Sequence, residues 1–172
     1  MRPDRFIIWL MGPTSSGKTT LAESFAKGVR KKGKIILHYD GDEVRDFYGA
    51  GHGFSKSNRQ QVVQTLVHLA KKAYDAGACV VVSALTAHED ARKYLKKNIK
   101  DLQIAYVECS IETCASRDPK GLYEKARNGT IDTLIGFNSK YVPPENPDII
   151  LNTEEKSVEE LVKILTEFLY PS

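Results

Sequence analysis

Phe6-Ile7-Ile8-Trp9-Leu10-Met11-Gly12-Pro13-Thr14-Ser15-Ser16-Gly17-Lys18-Thr19-Thr20 is the stretch that decides the fold. The apolar run 6–10 reads as a buried strand, and 18–32 as a helix stopped near Gly33. Between them, Gly12 to Thr19 fits the Walker A pattern G-x-x-x-x-G-K-[ST] in its required strand–loop–helix setting. The glycines let the backbone fold tightly, so that N–H groups along Gly12, Thr14, Ser15, Ser16 and Gly17 can face a phosphate. The helix behind them adds its positive end. Lys18 is expected to bridge the β- and γ-phosphates, Thr19 to offer its hydroxyl to Mg²⁺, and Thr20 to donate to the α-phosphate. The motif implies a nucleoside triphosphate with Mg²⁺, but not which reaction.

Outward from this stretch, short apolar runs alternate with amphipathic ones. Strands are expected at 35–39, 79–82, 104–109 and 148–151, with helices at 59–75, 89–97 and from 111 to 117. Ser157 with Glu160 forms a capping-box signature for a last helix ending near Leu169. Such alternation predicts an α/β P-loop NTPase fold: a parallel five-stranded sheet with helices on both faces. The whole chain, 1–172, reads as one P-loop domain. Two segments break the pattern, the glycine-bearing 45–58 and the basic, Pro- and Gly-rich 117–144. Long irregular segments of this kind read as functional loops, and 117–144 as a mobile lid.

The second strand runs into Asp40-Gly41-Asp42-Glu43-Val44-Arg45. In open α/β sheets ligands bind beyond the carboxyl ends of the strands, so these acids emerge beside the phosphate loop. A carboxylate there can take the proton of an attacking hydroxyl, and its neighbour can hold Mg²⁺ through water. Both could instead cap the following helix.

Composition sets limits. The chain has 172 residues, 41% hydrophobic and 27% charged, with a net charge of +3. It is long enough for a sizeable core, and no basic face with interleaved aromatics marks a nucleic-acid binder. No apolar run reaches the ~18 residues of a membrane helix, and 6–11 is too short for a signal peptide, so a cytoplasmic location is expected. Arg30-Lys31-Lys32 and Lys96-Lys97 read as solvated helix ends. Three cysteines lack zinc-like spacing; Cys79 and Cys109 read as buried thiols, and Cys114 as a helix residue. His38, His52, His68 and His88 form no metal cluster and are not expected to be catalysts.

Several strings together resemble the adenylylsulfate kinase family: Trp9-x-x-Gly12 with the phosphate loop, Asp40-Gly41-Asp42-x-Val44-Arg45, Gly53-Phe54-Ser55-x-x-Asn58-Arg59, the string Arg117-Asp118-Pro119-Lys120-Gly121-Leu122-Tyr123-x-Lys125-Ala126-Arg127, and Gly136-Phe137-Asn138-x-x-Tyr141-x-x-Pro144. The resemblance covers nearly the whole chain. It implies phosphorylation of the 3′-hydroxyl of adenosine 5′-phosphosulfate by MgATP. It implies Asp42, with Lys18, as the catalytic pair, and Arg45, Arg59 and Lys120 as ligands of the acceptor's anionic end. It also implies Phe54 as the stacking partner of the acceptor base, Arg117 as a cover for the ATP base, and a homodimer. Asp40, Val62 and Leu134 fall at further acceptor-side positions. Many relatives carry a longer segment before strand one, where this chain has residues 1–5.

Departures from the family cluster on the acceptor side. Glu43 stands where Asn is usual, and Val62 at a position that usually carries an acceptor-touching Asn. Gln64 and Thr65 replace a frequent Arg pair. Thr86-Ala87-His88-Glu89-Asp90 replaces roughly Ile-Ser-Pro-Tyr-Arg, and Leu134 replaces a stacking Phe. A lost stacking aromatic costs about 0.5–1.5 kcal/mol, and a lost hydrogen bond to a charged group ~1.5–3 kcal/mol. The alternative left open is a related kinase with a switched acceptor, such as cytidine diphosphoramidate in capsule decoration. Shikimate- or gluconate-type kinases would not need the lid string. A regulatory nucleotide-binding domain would not need Lys18, Thr19 and Asp42 intact.

Overall fold

The computed structural model describes residues 5–171; residues 1–4, most of the short charged start, and 172 lie outside them. The strands are β1 (Ile7–Met11), β2 (Ile36–Asp40), β3 (Cys79–Ser83), β4 (Gln103–Glu108) and β5 (Ile149–Asn152). They form one parallel sheet in the order β2-β3-β1-β4-β5. The helices are α1 (Lys18–Lys31), α2 (Gly41–Tyr48), α3 (Lys56–Asp75), α4 (Glu89–Asn98), α5 (Ile111–Arg117), α6 (Leu122–Arg127) and α7 (Val158–Leu169).

The continuous apolar character of β1 and β3 follows from burial on both faces. Ile8 and Leu10 of β1 and Val81 of β3 pack under α1 and α7, against Leu21, Phe25, Val29, Leu161 and Leu165. Ile7, Trp9 and Met11, with Val80 and Val82, point the other way, under Val62, Val63, Leu66 and Val67 of α3 and Leu95 of α4. Each large side chain so buried contributes roughly 1.5–3 kcal/mol. The capping box at Ser157 and Glu160 is present at the start of α7. Because β1 lies between β3 and β4, its carboxyl end opens at the point where the strand order reverses.

Two boundaries differ from the sequence expectation. Half of segment 45–58 is helical: α2 begins at Gly41, with the Asp40 side chain accepting from the Asp42 amide as its cap, and α3 begins at Lys56, capped by Ser55. Only 49–55 remains as loop. The lid segment also contains a helix, α6, whose first turn is held by Asp118 accepting from the amides of Tyr123 and Glu124. Segment 117–144 is fastened near both ends. Tyr123 Oη donates to Thr14 O of the phosphate loop at 3.0 Å. The buried guanidinium of Arg92 donates to Val142 O and Pro143 O, and its Nε to Thr86 O.

Candidate active site

The phosphate loop leaves β1 against the neighbouring strand. A Cβ at Gly12 would sit 2.4 Å from Val107 O, so no larger residue fits without moving backbone. Gly17, at φ 97°, turns the chain into α1 in a conformation that side chains rarely adopt. Lys18 folds back, its Nζ donating to Pro13 O at 2.6 Å. Burial lowers its ammonium to about 8, although Asp42 and Asp40 pull the other way.

Asp40 and Asp42 separate into different roles. Asp40 is buried at the end of β2, beside Ser83 in register. Its carboxylate accepts from Thr19 Oγ1 at 2.7 Å, Ser83 Oγ at 2.5 Å and the Asp42 amide at 2.8 Å. Burial pushes this carboxyl up, but the three hydrogen bonds outweigh it and hold it below the usual range. His38 Nε2 lies 2.7 Å from Ser83 Oγ; since that hydroxyl gives its proton to Asp40, the imidazole is the donor. Asp42, in the first turn of α2, instead reaches an exposed ion pair with Lys120 at 2.5 Å. Burial lowers the Lys120 ammonium, but the hydrogen bond and charge of Asp42 more than reverse this.

Arg45 and Arg59 stand next to each other. Arg45 Nη1 donates to Gly53 O at 3.0 Å; Arg59 donates to Phe54 O at 3.0 Å and to Thr133 O of the lid at 2.9 Å. Their guanidinium carbons lie 4.6 and 5.5 Å from the centre of the Phe54 ring, so that ring is already engaged by cations. Burial first, then the charge of Arg45, lowers Arg59 to about 10. Both arginines remain protonated at neutral pH, and an anion between them would relieve that repulsion.

A cavity of about 770 Å³ joins these parts, within the range of small-molecule sites. It is lined by Thr14, Ser15, Gly17, Lys18, Thr19 and Thr20, by Asp40, Asp42, Arg45, Phe54, Arg59 and Val62, and by Arg117, Lys120 and Leu134. Of the residues singled out from sequence, Gly12 and Ser16 do not line it; both are buried beneath the loop. His88 lines it as well, whereas His52 does not. Cys114 is fully buried on α5, and burial raises its thiol to about 12, which leaves it inert at neutral pH.

Thr153 escapes the sequence reading. Its hydroxyl donates to Ser16 O at 2.9 Å, while Arg117 donates to its Oγ1 and its carbonyl at 3.0 and 2.8 Å. The turn after β5 thereby ties the phosphate loop to Arg117, where segment 117–144 begins. Ser83, Tyr123 and Arg92 were likewise not expected to hold the site. Tyr123 sits inside the lid string, and that string was the available signal for it.

The family model described as adenylylsulphate kinase matches residues 4–152. The chain belongs to the adenylylsulphate kinase family. Like its relatives it is a phosphotransferase acting on a hydroxyl group. The adenylyl-sulfate kinase of Staphylococcus epidermidis is 36% identical over 170 residues, 95% of this chain and 85% of that one. The probable adenylyl-sulfate kinase of Archaeoglobus fulgidus is 35% identical over 150 residues, 87% of this chain and 97% of that protein. Among solved structures, the Mycobacterium tuberculosis APS kinase CysC in complex with AMPPNP and APS superposes with a TM-score of 0.91. Identity there is 31%, over 97% of this chain and 98% of that one.

Proposed function

We propose that this adenylylsulphate kinase family member transfers the γ-phosphoryl group of ATP to the 3′-hydroxyl of adenosine 5′-phosphosulfate, giving 3′-phosphoadenosine 5′-phosphosulfate and ADP. The observation that carries this reading is the single cavity in which the phosphate loop, the Asp42 carboxylate and the Arg45–Arg59 pair meet. The similarity to a kinase solved with AMPPNP and APS supports it. The switched acceptor finds no support among the relatives.

The loop amides and Lys18 hold the β- and γ-phosphates, with Lys18 exchanging Pro13 O for phosphate oxygens. Arg117, braced on Thr153, covers the ATP base. Arg45 and Arg59 spend only part of their five N–H donors on carbonyls, and the rest receive the phosphosulfate. The acceptor base lies along Phe54, Val62 and Leu134. The acceptor oxygen bonds to the γ-phosphorus as the bond from phosphorus to the β–γ bridging oxygen breaks. The hydroxyl proton passes to Asp42, and the bond electrons leave with ADP. Lys120 moves from Asp42 to the transferring phosphoryl oxygens, where charge builds.

Thr19 and Asp40 fit Mg²⁺: both offer oxygen, the hard-ligand chemistry that ion prefers, and their paired oxygens are 2.7 Å apart. Thr19 would hold the ion directly, with Asp40 behind it, and the ion would neutralise phosphate charge. Family resemblance extends the proposal to a homodimer.

Coupled ADP release with MgATP tests the reaction. The acceptor panel holds adenosine 5′-phosphosulfate, cytidine diphosphoramidate, AMP, CMP and no acceptor. Selective turnover of adenosine 5′-phosphosulfate is expected. Equal or faster turnover of a cytidine compound would refute the acceptor, and acceptor-independent release would refute the transfer.

A further inference from the structure

Loop 49–55 presents its carbonyls to both arginines: Gly53 O accepts from Arg45, and Phe54 O from Arg59. Where the loop sits therefore sets where the two guanidinium groups point. Three of its seven residues are glycine, so it has few side chains of its own to hold it. What holds it is a cluster that the reaction leaves unused.

Tyr48, at the end of α2, has its Oη 2.5 Å from Thr65 Oγ1 of α3. The Thr65 hydroxyl donates to Gln61 O at 3.0 Å, so Tyr48 is the donor to Thr65. The His52 ring lies nearly flat on the Tyr48 ring, with centres 4.6 Å apart and planes 18° apart. His52 Nε2 lies 3.2 Å from Asn58 O, a carbonyl, and therefore donates to it. The middle of the loop is thus pinned to the end of α2 and to the body and first turn of α3. None of the three residues lines the cavity. Thr65 also stands at one of the positions where the resemblance leads one to expect arginine, so this chain uses a hydroxyl acceptor there instead.

We infer that Tyr48, His52 and Thr65 form a clasp that positions loop 49–55, and that the clasp sets the affinity for the acceptor's anionic end without affecting ATP. They are positioning residues: they touch neither substrate, and act through Arg45 and Arg59. The inference rests on the reading of those arginines as acceptor ligands.

The test compares Tyr48→Phe, Thr65→Val and the double variant, with Thr65→Ser as the conservative control. The readouts are kcat, the KM of each substrate, the thermal midpoint, and amide hydrogen exchange of 49–55 in the substrate-free protein. Each single variant should raise the acceptor KM about five- to tenfold, the effect of one hydrogen bond. The double should be no worse than either single, since both cut the same bond. The ATP KM should hold, Thr65→Ser should match wild type, and 49–55 should exchange faster. An unchanged acceptor KM in both singles, or an equal rise in the ATP KM, overturns the clasp. If the wild type fails to turn over adenosine 5′-phosphosulfate, the proposed reaction falls instead. The exchange data then decide the clasp: unaltered exchange at 49–55 overturns it, and faster exchange upholds its hold on the loop.

Discussion

Asp42→Asn separates chemistry from stability because the structure assigns the two very different magnitudes. The Asp42 side chain is 62% exposed, and its partner Lys120 is 57% exposed. An ion pair in that setting is worth ~0–1 kcal/mol, so losing it should barely move the unfolding midpoint. Asparagine keeps the shape and leaves the Asp42 amide bonded to Asp40. It cannot take the hydroxyl proton at neutral pH. Removing a general base costs roughly 10²–10⁴ in rate, or ~3–5 kcal/mol of barrier at 1.36 kcal/mol per decade. With both substrates saturating, ADP release should fall by at least about a hundredfold. ATP affinity, read by calorimetry, and the thermal midpoint should stay close to wild type. A kcat within about tenfold of wild type in a folded variant would refute the base assignment. A stability loss of about 3 kcal/mol, far above the ~0–1 expected, would instead show that Asp42 is structural.

Arg92→Met should be the reverse case, a large stability effect. Its buried guanidinium donates to Thr86 O, Pro143 O and Val142 O at 2.9, 3.1 and 2.7 Å, and stranding those carbonyls should cost ~3–5 kcal/mol, with a midpoint drop of about 6–15 °C by thermal denaturation; a loss under ~1 kcal/mol would mean that the lid base is held otherwise. Lys18 titrates near 8 in the free protein, so its charged form is lost as pH rises through that value, and bound phosphates should restore it. Calorimetry in buffers of different ionisation enthalpy should therefore show ATP taking up close to one proton at about pH 9 and almost none at about pH 6.5; equal uptake at both would contradict this. Thr153→Val removes the donor to Ser16 O and an acceptor for Arg117. It should weaken ATP about fivefold, the effect of ~1 kcal/mol, with the acceptor KM unmoved, and steady-state kinetics with each substrate varied checks both.

What could be read from sequence follows from how local the cause is. β1 and β3 were legible because burial on both faces leaves an unbroken apolar run, and the phosphate loop because Gly12 and Lys18 act within eight residues of one another. Asp40 and Asp42 look alike as letters. Only the register of β2 on β3 puts Ser83 beside Asp40 and spends that carboxylate inside the protein, leaving Asp42 facing the cavity. Arg92 belongs to a helix so charged that it reads as solvated. It is buried because carbonyls from residues 142 and 143, some fifty positions away, come to it. Thr153 meets Ser16 across 137 residues with no pattern at either end. The glycines of 49–53 hid how early α2 starts and how soon α3 follows, since they read as one long break. The residues proposed to bind phosphate are therefore written locally. Thr65, Arg92 and Thr153 act through contacts that exist only once the sheet has closed, so on the readings proposed above changes at any of them should alter this site without touching a single recognisable motif.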